Sequence, residues 1–316
     1  MASVAALITA YHRKEYVRAA LESILAQTDR PDEILVSKDF DDLPLDALIE
    51  ANGVISRRIG DWSIGAQTAD ALHHLHSDVV CFLDDDDVWY PNKVAVVRRN
   101  FTEEPNLTFL QHRVRCTGAG ADAWTQRHPQ PRAHEFYPLA NGATRQLPWL
   151  SRWGAYANMS CLSFKRISLT GPLEDGVFDS VLALNDTVYP YLSMLDGGMH
   201  RFINDVLSDY HLHSSSCRVS DGGTSYVPNP VNVRRELQTA IPIRNYIERR
   251  GAIRLLPGRL IESSILSQRA KLAMGEPRSE SDWSLSDTRR MVWSGVERLQ
   301  PYLVRNACLA LVGKMG

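Results

Sequence analysis

Five apolar residues, Val79-Val80-Cys81-Phe82-Leu83, run straight into four consecutive aspartates, Asp84 to Asp87. A short unbroken apolar run is the pattern of a strand buried on both faces. Four adjacent carboxylates at its end raise one another's pKa unless a cation lies among them. A divalent metal at the end of such a strand would remove that cost. Carboxylates in an extended turn can aim at one ion, and Mg2+ or Mn2+ takes oxygen ligands. Taken alone, the run also reads as a solvated acidic turn that starts the helix after Pro91, where acids favour the helix dipole.

The flanking pattern decides what kind of sheet holds that strand. Val4 to Thr9 reads as a buried strand, and Glu15 to Gln27 as a helix with Val17, Ala20, Leu21, Ile24 and Leu25 at helical spacing. Glu33 to Ser37 reads as a second strand and Ala66 to His76 as a helix leading into the strand at 79–83. Strands alternating with helices predict an α/β fold with a doubly wound, mainly parallel sheet. Such sheets bind ligands beyond the carboxyl ends of their strands, here Thr9 to Tyr11, Lys38 to Asp39 and Asp84 to Asp87.

Further along, Pro129 to Pro148 is rich in Pro, His and Arg and reads as a long irregular surface segment of the kind that covers a substrate. The Ser214 to Pro230 stretch of serines, glycines and prolines predicts a boundary. Residues 1–222 then form the α/β unit, and residues 223–316 a helical, arginine-rich C-terminal extension.

With 316 residues, 44% hydrophobic and 23% charged, the chain has the balance of a soluble globular protein. A net charge of −2 gives no global argument for nucleic-acid binding. Cys81, Cys116, Cys161, Cys217 and Cys308 are scattered without a CxxC pair, which predicts a reduced, cytoplasmic setting. The apolar stretch Val4 to Ala10 has no basic residue before it and is far shorter than the roughly 20 residues that span a bilayer.

Several separated motifs together resemble the family 2 glycosyltransferases, the large inverting group with a GT-A fold. They are Ala6-Leu7-Ile8-Thr9-Ala10-Tyr11-His12-Arg13, Ala20 to Thr28, Pro31 to Val36, and the four aspartates followed by Trp89, Pro91 and Lys93. The resemblance is dense over residues 3–93 and thinner from about 158 to 216. It implies that Thr9 and Tyr11 contact the nucleotide and that Asp39 pairs with the base, as a carboxylate can accept the imide N–H of uracil. Lys38 and Phe40 depart from the family's usual Asp-Asp-Gly-Ser at that place. The Asp-x-Asp element falls on Asp84-Asp85-Asp86, with Asp84 and Asp85 at the donor and Asp86 on the metal. Gly65 resembles the glycine before the third strand.

Asn185-Asp186-Thr187, preceded by Gly171-Pro172-Leu173, resembles the family's Glu-Asp at the head of a helix. The resemblance makes Asp186 the catalytic base, which the chemistry requires because an acceptor hydroxyl must lose its proton as it attacks. As a plain sequence feature Asp186 is also a first-turn helix acid. Ser208-Asp209-Tyr210-His211-Leu212-His213-Ser214 resembles the closing Tyr-Arg-x-His-x-x-Ser segment and implies His213 as a second metal ligand. His73, His74 and His76 lack the spacing of a zinc site. Trp149, Trp153 and Tyr156 read either as sugar-stacking residues or as core.

The implied function is an inverting, metal-dependent hexosyltransferase that uses a nucleotide-diphosphate sugar, UDP favoured, with Mn2+ or Mg2+. Its default acceptor is a lipid-linked saccharide of surface-polysaccharide biosynthesis. The same residues are compatible with modified DNA or a small metabolite as acceptor, and with a non-catalytic nucleotide-sugar binding module. A nucleotidyltransferase would need glycines that Thr9 to Lys14 lacks. The arginines from Arg234 to Arg269, interleaved with Ile247, Ile253, Leu260 and Leu266, read as a helical appendage packed on the catalytic unit, as peripheral attachment to an anionic membrane, as a nucleic-acid face or as a homodimer contact.

Overall fold

The structure, a computed structural model, describes residues 1–60, 63–127, 129–152, 158–213, 230–275 and 287–290. The N-terminal part alternates strands and helices: β1 (Val4–Ala10), α1 (Lys14–Leu25), β2 (Glu33–Lys38), α2 (Leu43–Ala51), β3 (Ile55–Arg58), α3 (Ile64–His74) and β4 (Val79–Asp84). Next come β5 (Val88–Trp89), α4 (Lys93–Glu103), β6 (Leu107–Gly118), α5 (Ala121–Arg127), β7 (His134–Phe136) and α6 (Leu147–Arg152). The order closes with β8 (Leu162–Lys165), α7 (Ile167–Glu174), α8 (Asn185–Ser193), β9 (Met199–Leu212), α9 (Pro230–Arg249) and α10 (Leu256–Gly275).

The strands form one sheet in the order β3-β2-β1-β4-β8-β6-β9-β5, with β7 added alongside β9. The first four are parallel, as the βαβ alternation predicts. Beyond them β8 runs antiparallel to both β4 and β6, and β6 runs parallel to β9. The register aligns Thr9 with both Ser37 and Asp84, so the carboxyl ends of β1, β2 and β4 finish at one level.

Both faces of the sheet are covered, which is why β1 and β4 read as unbroken apolar runs. Val4, Ala6 and Ile8 point to a core shared with Val17, Leu21 and Ile24 of α1, Leu45 and Ile49 of α2, and Val94, Val97 and Phe101 of α4. Ala5, Leu7 and Phe82 point the other way, to Leu72 of α3, Phe109, Phe164 and Tyr189 of α8. Phe82 and Phe109 each meet Phe164 edge-on at 5.6 and 5.2 Å between ring centres, a geometry that adds about 0.5–1.5 kcal/mol per pair beyond area burial. The same core takes in Ala240, Ile243 and Ile247 of α9 and Leu256, Leu260 and Ile261 of α10. The described C-terminal helices thus lie on the face that also holds α8.

Several local differences from the sequence reading have clear causes. Helix α3 begins at Ile64 because the Ser63 hydroxyl accepts from the Ala66 N–H at 3.1 Å, an N-cap. Helix α2 and strand β3 were not anticipated: Asp42 caps α2 through the Leu45 N–H at 3.1 Å, and β3 pairs only with β2 at the sheet edge, so its pattern is short and half-exposed. The segment from 129 to 148 is not wholly irregular. Within it β7 pairs with β9, Phe136 is buried, and His134 stacks at 4.4 Å on Trp149, which itself packs against Phe202. Trp149 therefore belongs to the core, whereas Trp153 and Tyr156 lie outside the described residues. So do Cys217 and Cys308. Among the described residues no helix is long and apolar enough to cross a membrane.

Close packing accounts for Gly65. Its N–H donates to the Val181 carbonyl at 2.9 Å, and a Cβ there would lie 1.9 Å from the Phe178 carbonyl oxygen and 2.7 Å from Val181 Cβ. Backbone atoms cannot yield as a flexible side chain can. Gly65→Ala is expected to destabilise the fold by about 1–3 kcal/mol, read as a lower urea midpoint at unchanged m-value. An unaltered midpoint would show that the 177–181 turn is free to move.

Candidate active site

The four aspartates at the end of β4 divide: Asp87 is turned into the fold, whereas Asp85 and Asp86 share Arg13. The Asp87 N–H closes a turn onto the Asp84 carbonyl at 3.2 Å. The Asp87 carboxylate is turned inward, where it accepts from Ser160 Oγ at 2.5 Å, Asn158 Nδ2 at 3.0 Å and the His211 N–H at 2.8 Å. Ser160 Oγ in turn accepts from the Asp84 N–H at 3.0 Å. One carboxylate thus ties the end of β4 to the turn before β8 and to the end of β9. Beneath it Lys93 is fully buried, donates to the Ser160 carbonyl at 2.7 Å and lies 3.9 Å over the Trp89 ring.

Asp85 and Asp86 face the bend between β1 and α1. Asp85 Oδ2 accepts from the Tyr11 N–H at 3.3 Å, and its Oδ1 pairs with Arg13 Nη2 at 2.5 Å. Asp86 Oδ2 pairs with Arg13 Nη1 and also lies 2.7 Å from His213 Nε2. Arg13 Nη1 is 3.1 Å from the same His213 nitrogen. Tyr16 of α1 stacks on the His213 ring at 5.1 Å, which orients it. A cleft of about 220 Å³ opens beside Asp86, with Tyr16, Thr117, Asp209 and His211 in its wall.

Burial, followed by the neighbouring carboxylates of Asp87, Asp86, Asp85 and Asp186, raises Asp84 well above the ordinary carboxylate range. Burial pushes Asp85 up to about 7 against the opposing pull of Arg13. Asp87 is also raised to about 7 by burial and then by Asp86. Lys93 is lowered to about 8 by burial. Arg13 loses solvation on burial, yet Asp85 and Asp86 hold it above its usual value.

Asp186 stands in the first turn of α8, buried, and its Oδ2 accepts from the Asn158 N–H at 3.2 Å. The residue before the helix, Leu184, has φ +59°, and Asn158 and His12 have φ of +77° and +60°. These are the only non-glycine residues in the left-handed region among those described, and each adjoins the acid cluster or Asp186. Strained backbone of this kind costs about 1–3 kcal/mol per residue and gathers at functional sites.

Asp84, Asp85, Asp86, Tyr11, His213 and Asp186 are thereby gathered around one set of strand ends. Thr9 lies level with Asp84 on the adjacent strand. Asp39 is nearby but engaged: it accepts from the His12 N–H at 2.9 Å and lies 2.6 Å from His12 Nδ1. Gly65 is held against the 177–181 turn. Lys38 has Nζ turned away to the Phe40 carbonyl at 2.7 Å and Asp46 at 2.9 Å. Sequence reasoning passed over Arg13, Asn158 and Ser160. Arg13 stood inside the first-strand motif but carried no sign of the acids it meets, and Asn158 and Ser160 sit in an irregular turn without periodic pattern. Among the described residues no group of three or more His, Cys, Asp or Glu side chains could by itself hold a metal ion. Asp86 and His213 supply two donors close enough to share one ion, a carboxylate and an imidazole of the kind Mn2+ accepts.

The sequence profile of Glycosyl transferase family 2 matches residues 5–167. An uncharacterized glycosyltransferase of Haemophilus influenzae is 26% identical over 118 residues, a stretch that spans 35% of this chain and 38% of that protein. Among solved structures, TarS of S. aureus superposes with a TM-score of 0.58 at 12% identity, covering 99% of this chain and 89% of that one. TarS in complex with UDP-GlcNAc gives 0.58 at 13% identity over the same shares. The mannosyltransferase PcManGT of Pyrobaculum calidifontis, in complex with GDP-Man and Mn2+, gives 0.51 at 14% identity over 99% and 87%. The fold is the GT-A-like α/β fold of these proteins.

The raised carboxyls make a signed pH dependence. Unfolded aspartates titrate near about 3.9, and the folded Asp85 and Asp87 near about 7. Between those values the folded state binds more protons, so the cluster's contribution to stability falls as pH rises through the window. Buried His112, lowered well below its ordinary value, and His200, lowered to about 3, act in the opposite sense, so the effect is read as a difference. In metal-free buffer, the stability of wild type minus that of Asp87→Asn is expected to fall by on the order of 2 kcal/mol from about pH 4.5 to 7.5. A difference independent of pH in denaturant titrations would mean that Asp87 ionises like an exposed acid.

Proposed function

We propose that this chain, which belongs to the family 2 glycosyltransferases, moves a sugar from a nucleoside diphosphate donor to a hydroxyl acceptor with inversion at the anomeric carbon. One observation carries the reading. Asn158 donates its N–H to Asp186 Oδ2 at 3.2 Å and its Nδ2 to Asp87 at 3.0 Å, so the carboxylate that would act as base is tied by one residue to the acid run.

In this reading the nucleotide lies across the carboxyl ends of β1 and β2, against Thr9 and Tyr11, with Asp39 toward the base. The Asp39 carboxylate, fixed by His12, favours uracil because it can accept the imide N–H. Asp84 and Asp85 face the donor's sugar and ribose. Asp86 and His213 would hold Mn2+ or Mg2+ together with the diphosphate, and the ion would supply counter-charge to the departing nucleotide. The acceptor oxygen forms its bond to the anomeric carbon as the bond from that carbon to the diphosphate breaks. The acceptor proton passes to the Asp186 carboxylate, and the electron pair of the broken bond leaves on the diphosphate. A single in-line displacement inverts the configuration and needs no covalent intermediate.

The acceptor class that suits this reading is a growing lipid-linked saccharide, with residues 1–222 as catalytic unit and 223–316 as an extension that could meet an anionic surface through exposed arginines such as Arg249, Arg250 and Arg254. The relatives support the donor half of the proposal, since TarS is seen with UDP-GlcNAc and PcManGT with GDP-Man and Mn2+.

The test takes purified protein with Mn2+ and a panel of UDP-, GDP- and dTDP-sugars, read by nucleotide release. Asp186→Asn is expected to lower turnover by about 10²–10⁴-fold while leaving UDP affinity, measured by calorimetry, nearly unchanged. Turnover that survives in Asp186→Asn would remove the base. Donor binding equally strong with and without a divalent cation would remove the metal.

A further inference from the structure

The point at which Asp86 and His213 converge holds the Arg13 guanidinium. Its Nη2 is 2.5 Å from Asp85, and its Nη1 pairs with Asp86 and lies 3.1 Å from His213 Nε2. Asp85 and His213 are almost wholly buried and Asp86 nearly so, while Arg13 keeps about a third of its side chain exposed, at 32%. The most solvent-accessible member of the cluster is thus its cation. Arg13 hangs from the bend that precedes α1, next to the left-handed His12, rather than from a strand. It can leave without disturbing the sheet.

We propose that Arg13 is a resident counter-cation which occupies the place of the divalent ion, so that metal and guanidinium compete for Asp86 and His213 and the metal binds firmly only when a diphosphate draws the arginine away. This rests on the metal reading of Asp86 and His213 given above. The physical argument is one of charge. Without a cation, three or four neighbouring carboxylates cannot all ionise, and the guanidinium satisfies Asp85 and Asp86 at once. A bare Mn2+ would have to displace two charge-assisted pairs and would find, among the described residues, Asp86 and His213 as its donors. A diphosphate changes both terms, because it adds oxygen ligands to the ion and offers the guanidinium a bidentate anionic partner of its own. Metal and nucleotide then bind with positive coupling that is reciprocal.

The experiment measures Mn2+ binding by electron paramagnetic resonance, with and without UDP, on the full chain of wild type, Arg13→Gln, Arg13→Lys and Asp86→Asn. Wild type is expected to bind Mn2+ weakly alone and at least about tenfold more tightly with UDP. Arg13→Gln is expected to bind Mn2+ alone about tenfold or more tighter than wild type, with a smaller gain from UDP, and Arg13→Lys to fall between. In thermal melts Mn2+ alone should raise the midpoint of Arg13→Gln more than that of wild type. Binding of Mn2+ alone that is no tighter in Arg13→Gln than in wild type, while Asp86→Asn abolishes it, overturns the competition and leaves the metal site standing. Mn2+ binding indifferent to Asp86→Asn overturns the metal site and the competition with it. Should Arg13→Gln fail to fold, the wild-type and Arg13→Lys titrations decide: no gain from UDP in wild type, or Arg13→Lys binding Mn2+ no tighter than wild type, overturns the proposal.

Discussion

Mutual repulsion among four carboxylates at the end of a buried strand is the constraint that organises this molecule. Asp87 is turned inward and saturated by Ser160, Asn158 and the His211 N–H. Asp85 and Asp86 share one guanidinium, and Lys93 supplies a buried positive charge beneath them. Burying charge is unfavourable unless partners and hydrogen bonds are complete, so the turn can exist only where β1, the turn before β8 and the end of β9 all reach it. The acid run thereby dictates that distant parts of the chain meet.

The degree to which this was legible from sequence follows the range of the interactions. Strands β1, β2 and β4 were readable because burial on both faces makes an unbroken apolar run, and α1 because its apolar residues repeat at helical spacing. The parallel first half of the sheet followed from alternation. The antiparallel placement of β8 between β4 and β6 did not, since its four residues carry no directional signal. Asp84 to Asp86, His213 and Asp186 were found through motifs. Arg13 was in plain view within one of those motifs, yet its partner His213 lies 200 positions away, and no local pattern reports such a meeting. Gly65 shows another kind of signal: the motif marked the glycine, and the structure adds a packing reason for it in the Phe178 carbonyl that a Cβ would strike.

The three left-handed residues share a logic. His12, Asn158 and Leu184 each sit where the chain must turn sharply to present a functional group: Arg13 after His12, the Asp87-binding amide at Asn158, and Asp186 after Leu184. Glycine would adopt these angles without strain, but His12 and Asn158 use their side chains to hold Asp39 and Asp87. Local strain and local bonding are therefore traded at the same positions.

The seating of α9 and α10 has an implication for how such a protein can be divided or inherited. Ala240, Ile243 and Ile247 share a core with Val188, Tyr189 and Leu192 on the helix that carries Asp186, and Thr239 Oγ1 accepts from the Leu182 and Ala183 N–H groups at 2.9 and 3.1 Å, just ahead of that helix. The described C-terminal helices consequently pack behind the helix that carries Asp186 and share its core. Recombination that exchanged them between relatives would carry the seating of α8 and of Asp186 along with whatever surface they present.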